Sequence, residues 1–147
     1  MKKILIVLAI IIILIIGLWA WQSSQKSPVA KIGDRTFNLY LTKTNEDKQI
    51  GLSKYDKIDD SRAMIFSFEK PDYYSFWMKE MKFPIDIIYV RDDKIVTIHK
   101  NVQPPKNDKD LQVYSSNKPA DTVIEVNAGL SQKYNIKEGD SITVSNI

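Results

Sequence analysis

After Met1-Lys2-Lys3 the chain runs from Ile4 to Trp21 through eighteen residues with no charge and no strongly polar side chain. As a helix, that run spans about 27 Å, close to the hydrocarbon thickness of a bilayer. A helix apolar on every side belongs in lipid or in a large core, and nothing downstream is built to cover all its faces. Isoleucine dominates the run and ordinarily disfavours helix. In lipid the backbone has no water to bond, so helix prevails. Trp19 and Trp21 fall at the far end, where amphipathic rings favour the headgroup layer, and Lys2 and Lys3 orient the N-terminus to the cytoplasm. Cleavage as a secretory signal is the rival reading. It requires small residues at the −3 and −1 positions, and across Ala20-Trp21-Gln22-Ser23-Ser24 each pair contains tryptophan or glutamine. The expectation is a single-pass protein of the cell membrane. Residues 1–3 are a cytoplasmic stub, 4–21 a transmembrane signal anchor, 22–28 a polar linker and 29–147 an extracytoplasmic domain.

Composition narrows the chemistry of that domain. Cysteine is absent, which excludes disulfides, cysteine–zinc sites, iron–sulfur ligation and thiol nucleophiles. His99 is the single histidine, so a zinc-hydrolase H-E-x-x-H motif is excluded. The five glycines form no G-x-G and no phosphate-binding loop. Neither a cofactor nor a metal is expected. Asn107-Asp108-Lys109-Asp110 has acids at a calcium-loop spacing but lacks the turn glycine and the closing glutamate. The formal charge of +3 is accounted for by Lys2, Lys3 and Lys26, leaving eighteen basic and eighteen acidic residues in 27–147. A neutral domain without a basic block argues against nucleic-acid binding, which rests on phosphate neutralisation.

Hydrophobic patterning within the domain reads as many short strands. Val29–Ile32 and Thr36–Leu41 flank Gly33-Asp34-Arg35 as an opening hairpin. Thr44 caps a short helix with acids in its first turn, running to about Leu52. Ala63–Phe68, Tyr74–Met78, Ile85–Val90, Ile95–His99, Thr122–Val126 and Ser141–Val144 read as further strands. Asn101–Asp110 reads as a long surface loop, and Asn127–Tyr134 as a short helix. The fold class expected is mainly β, a compact sandwich or barrel with one or two short helices, preceded by the transmembrane helix.

Two acids stand inside predicted strands. Asp86 shares a face with Ile88 and Val90, and Glu125 with Val123, because side chains alternate along a strand. A carboxylate among core residues must find partners. Lys79, Arg62, the Trp77 indole and backbone donors are candidates. Such acids either tie a loop or sheet edge to the core or mark a functional site. The dense run Tyr73, Tyr74, Phe76 and Trp77 places Tyr74, Phe76 and Met78 on one face and Tyr73 and Trp77 on the other. One face is core and the other can line an apolar groove. His99, at a strand end, reads as a solvated edge residue.

Several of these segments together resemble the domain of unknown function 192 (DUF 192) family. They are Gly51-Leu52, Ala63-Met64-Ile65-Phe66, Phe76-Trp77-Met78-Lys79, Pro84-Ile85-Asp86-Ile87-Ile88, Glu125-Val126-Asn127-Ala128-Gly129 and Gly139-Asp140. They follow the family's order and spacing from about residue 36 to the end. Ala63, Ser53 and Glu80-Met81 depart from its usual residues. The resemblance implies a small, mainly β fold and membrane-anchored or exported members, and it brings no activity. It directs attention to Trp77, Lys79, Asp86 and Glu125 as candidate binding residues, with no catalytic residue assigned.

The sequence leaves three readings open. The first is a tethered module that binds a small molecule or an envelope protein. The second is a hydrolase using Asp86 and Glu125 as an acid–base pair on an envelope or sugar-like substrate, which requires both carboxylates in one cleft about 5–10 Å apart. The third is a structural accessory with both acids locked in the core.

Overall fold

The computed structural model describes residues 2–23 and 26–147; the side chains of residues 2–6, 9, 20, 22, 23 and 108 lie outside the description. Helix α1 (Lys2–Ser23) contains the whole apolar run. Every described apolar side chain in it, from Val7 to Trp21, is exposed rather than packed on the domain. Over the described residues alone, no helix is long and apolar enough to cross a membrane. The side chains of nine residues of α1 lie outside that description.

The domain is mainly β. Strands β1 (Val29–Ile32), β2 (Arg35–Leu41), β3 (Arg62–Asp72), β5 (Ile85–Arg91), β6 (Lys94–Val102), β8 (Ala120–Asn127) and β9 (Ile142–Ser145) form one sheet in the order β6-β5-β8-β3-β2-β1-β9. The β1–β2 hairpin forms as the sequence predicts. Between β2 and β3 the pairing is parallel, and the necessary crossover is supplied by α2 (Asn45–Ile50) and a 3₁₀ turn (Gly51–Lys54). Thr44 caps α2 in a capping box: the Asp47 N–H donates to the Thr44 hydroxyl at 3.0 Å, and the Thr44 N–H donates to Asp47 Oδ2 at 3.0 Å. The bonds from Thr44, backbone first, then that from the Lys43 N–H, hold the Asp47 carboxyl below its ordinary pKa.

The sheet curls until its two ends meet at one corner. Lys94 bridges Ser141, the Ile95 N–H donates to the Asp140 carbonyl at 2.9 Å, and the Gly139 N–H donates to the Ile95 carbonyl at 2.8 Å. The architecture is therefore a curled half-barrel rather than a sandwich of two comparable sheets. Burial follows from the alternation of side chains. On the concave face, Ile88 and Val90 of β5, Ile124 and Val126 of β8, and Ala63 and Ile65 of β3 pack with Phe37, Ile95 and Ile142 from near the sheet's two edges. Leu130 from α3 (Leu130–Lys133) closes that core.

The convex face carries a second core, Met64, Phe66, Ile85, Ile87, Tyr89 and Val123. Leu52 of the 3₁₀ turn, Met78, and a two-stranded ribbon of β4 (Ser75–Trp77) and β7 (Val113–Ser115) cover it. Strand β7 lies outside every strand read from the sequence. Its three residues pair with β4 across about forty positions of chain, too short and too remote a partner for local patterning to reveal. Strand β6 also runs to Val102, into the predicted surface loop.

Candidate functional site

The two acids singled out from the sequence end on opposite faces of the sheet. Asp86 pairs with Val126 and Glu125 with Ile87 and Met64, and cross-strand partners share a face. Asp86 therefore lies in the concave core, and Glu125 in the convex one. An acid–base pair in a single cleft is not formed, which removes the carboxylate-hydrolase arrangement.

Asp86 is fully buried and satisfied. Its Oδ1 accepts from the Asn101 N–H at 2.8 Å and the Gly129 N–H at 3.1 Å, and its Oδ2 accepts from the Ser131 N–H at 2.9 Å. Asn101 sits in a β-bulge opposite Asp86, at φ 53°, and Gly129, at φ 83°, precedes α3. The carboxylate thus clamps a bulged edge strand and a helix start to the sheet. Of the partners proposed from sequence, only the backbone donors are used; the Arg62 guanidinium lies 5.0 Å from the centre of the Tyr40 ring instead.

Glu125 has the opposite surroundings. It is 5% exposed, flanked across the strands by Met64 and Ile87, and its Oε2 is buried without a hydrogen-bond partner. Burial alone pushes its carboxyl from 4.5 up to about 8. The carboxyl forms the floor of a cavity of about 190 Å³. Phe66 and Phe76 meet edge to face with ring centres 4.9 Å apart, Phe68 and Tyr74 stack at 3.6 Å, and Trp77 stands half-exposed at the mouth. The Tyr89 ring, behind Phe76, is fully buried. Its hydroxyl donates to the Tyr114 carbonyl at 2.6 Å, and burial, then the Glu125 charge, raises its pKa.

Two lysines stand at the rim. Lys48 Nζ donates to the Ser67 carbonyl at 2.6 Å and lies 4.5 Å from the centre of the Phe68 ring. Lys79 Nζ is 6.0 Å from the centre of the Trp77 ring. Gly51 forms part of the wall at φ 53°; a Cβ there would stand 3.5 Å from Phe66 and 3.9 Å from Glu125 Oε2. That backbone conformation calls for glycine, while a Cβ there would make only ordinary contact with its neighbours.

Three of the four candidate residues, Trp77, Lys79 and Glu125, therefore meet in one cavity, and Asp86 does not. Lys48, Gly51, Phe66 and Phe68 line the cavity although the sequence reading placed them only in a helix or a strand. The one available signal was Gly51, an isolated glycine near the end of a predicted helix and part of a family motif. His99 also departs from expectation. Its Nε2–H donates to the Ser115 carbonyl at 2.8 Å, and its ring packs edgewise on Tyr89 and Tyr114, so it braces the β7 ribbon rather than sitting in solvent. Among the described residues there is no group of three or more histidine, cysteine or acidic side chains placed to hold a metal ion.

The class is that of small, mainly β domains built on one curled sheet, here with a cavity that Glu125 lines. The chain matches the DUF192 family, described as an uncharacterized ACR, over residues 28–144, and it belongs to that family. Among solved structures it is similar to a protein of unknown function from Novosphingobium aromaticivorans, at 31% identity and a TM-score of 0.71, covering 79% of this chain and 83% of that one. A proposed transcription regulator from Sinorhizobium meliloti shares the fold at 23% identity and a TM-score of 0.70, covering 84% of this chain and 98% of that one. No functionally curated protein matches.

Proposed function

We propose that this DUF192 protein is a small-ligand-binding module held on the outer side of the cytoplasmic membrane by α1. One observation carries the binding reading: Glu125, whose Oε2 is buried without a partner, lines a cavity walled largely by aromatic rings. Folding leaves few buried polar atoms unpaired, and each costs about 1–3 kcal/mol. A ligand atom that bonds to Glu125 offsets that cost. Aromatic walls with few polar groups are the usual lining of a small-molecule site. The anchor rests on the apolar run of α1, the exposure of its described side chains, and the lysine and tryptophan flanks. A nucleic-acid role is not carried over from the Sinorhizobium neighbour, because residues 27–147 carry equal numbers of basic and acidic side chains.

A melting-shift screen of the full chain in phosphatidylcholine nanodiscs tests the binding reading. At least one small molecule should raise the midpoint of the parent and fail to raise that of Trp77→Ala. A diverse collection that shifts neither protein would defeat it. Alkaline carbonate extraction tests the anchor: the full chain should stay in the membrane pellet, and a chain lacking residues 4–21 should be released.

A further inference from the structure

The cavity does not end at Trp77. A groove of about 710 Å³ continues from it, sharing Gln49, Ile50, Trp77 and Lys79 and adding Ser53, Lys54 and Glu80. The two compartments differ in chemistry. The inner one is walled mainly by aromatic rings, with the Glu125 carboxyl among them and Lys48, Gln49, Ser75 and Lys79 as its other polar lining. The outer one offers exposed apolar surface, Ile50 and Trp77, together with charge. Lys48, Lys54 and Lys79 line the two compartments against two acids, Glu80 in the outer one and Glu125 in the inner one. Among the described residues none of the three lysines lies within 4.0 Å of a carboxylate. Lys48 is occupied by the Ser67 carbonyl, while Lys54 lies over the Tyr55 ring at 5.4 Å and within the field of Asp47. Lys79 is left as the cation that borders both compartments.

We propose, building on the binding reading, that the ligand is a small amphipathic anion whose apolar end carries a hydrogen-bond acceptor into the inner cavity and whose acidic group rests at Lys79. The acceptor meets the Glu125 carboxyl, which burial keeps protonated near neutral pH and so able to donate. The apolar middle lies against Phe76 and Trp77. The acid is recognised by an ammonium that, among the described residues, has no carboxylate within 4.0 Å. An ammonium ligand is disfavoured twice, since it must pass three lysines and must also draw the proton off Glu125 to form an ion pair.

Three probes with a para-acetylphenyl ring on a propyl spacer test this by calorimetric titration of the full chain in phosphatidylcholine nanodiscs, with empty nanodiscs as the blank. They end in a carboxylate, a carboxamide and a primary amine. The carboxylate should bind about tenfold tighter than the carboxamide, with the amine weakest. Lys79→Met should erase that advantage. Glu125→Gln, which keeps a neutral donor, should retain carboxylate binding and abolish its weakening between pH 6 and pH 9, the range in which the parent's Glu125 ionises. Tightest binding of the amine, lost in Glu125→Gln, would show an ammonium cage; the anion proposal would fall and the binding module would stand. Equal affinities for carboxylate and carboxamide would also overturn selection by charge alone. If no probe binds, the proposed ligand class fails, and the melting screen independently decides whether the site binds anything.

Discussion

The concave and convex faces of the sheet each bury one carboxylic acid, and they treat it in opposite ways. On the concave face three backbone N–H groups converge on Asp86 and lock a bulge and a helix start. On the convex face Glu125 has apolar neighbours and an unpartnered oxygen. Strand, burial and residue chemistry are nearly the same for both. The difference lies in what covers each face. Backbone turns bring donors to Asp86, whereas the cover of Glu125 brings rings and a gap. A satisfied acid belongs to the scaffold, and an unsatisfied one facing a cavity is available for recognition.

The sharpest way to break this contrast is at Asp86. Asp86→Ala strands three backbone donors, that of Ser131 buried and those of Asn101 and Gly129 part-buried, and should lower the unfolding free energy by about 3–5 kcal/mol, read by chemical denaturation. Comparable stability in that variant would remove the clamp. Glu125 should instead show itself through pH. Its folded pKa of about 8 lies above the unfolded 4.5, so the native state holds an extra proton between the two. The associated stability is fully present below pH 4.5 and is lost as pH rises through 8, with a slope of up to about 1.4 kcal/mol per pH unit. Glu125→Gln should flatten that part of the profile; an unchanged profile would mean the carboxyl is ordinary. At Gly51, alanine meets the positive φ and should cost about 1–3 kcal/mol, read by chemical denaturation, while its methyl adds to the cavity wall beside Phe66. Lys79→Ala should change stability by less than about 0.5 kcal/mol, so any loss of ligand-induced shift there reports binding and not folding.

Much of this arrangement could be read along the chain. Thr44 and Asp47 announced the capped helix, Gly33-Asp34-Arg35 the hairpin, and alternation placed Asp86 and Glu125 among core residues. Spacing alone could not say whether the two acids share a cavity. That depends on β8 lying between β5 and β3 and on the register Ile87–Glu125 and Asp86–Val126, pairings between residues about forty to sixty positions apart. A register slip of one residue would move either acid to the other face. The half-barrel was equally hidden, because it needs the bridge between Lys94 and Ser141 at the two ends of the strand order.

The sequence by itself determined an apolar leading helix, a neutral mainly β domain and the family to which it belongs, because hydropathy, charge and short motifs are local properties. Tertiary structure alone decided that Trp77, Lys79 and Glu125 meet around a cavity while Asp86 turns to the opposite core. Which face of a sheet a side chain occupies, and what covers that face, is set by contacts between distant segments, and no local pattern encodes them.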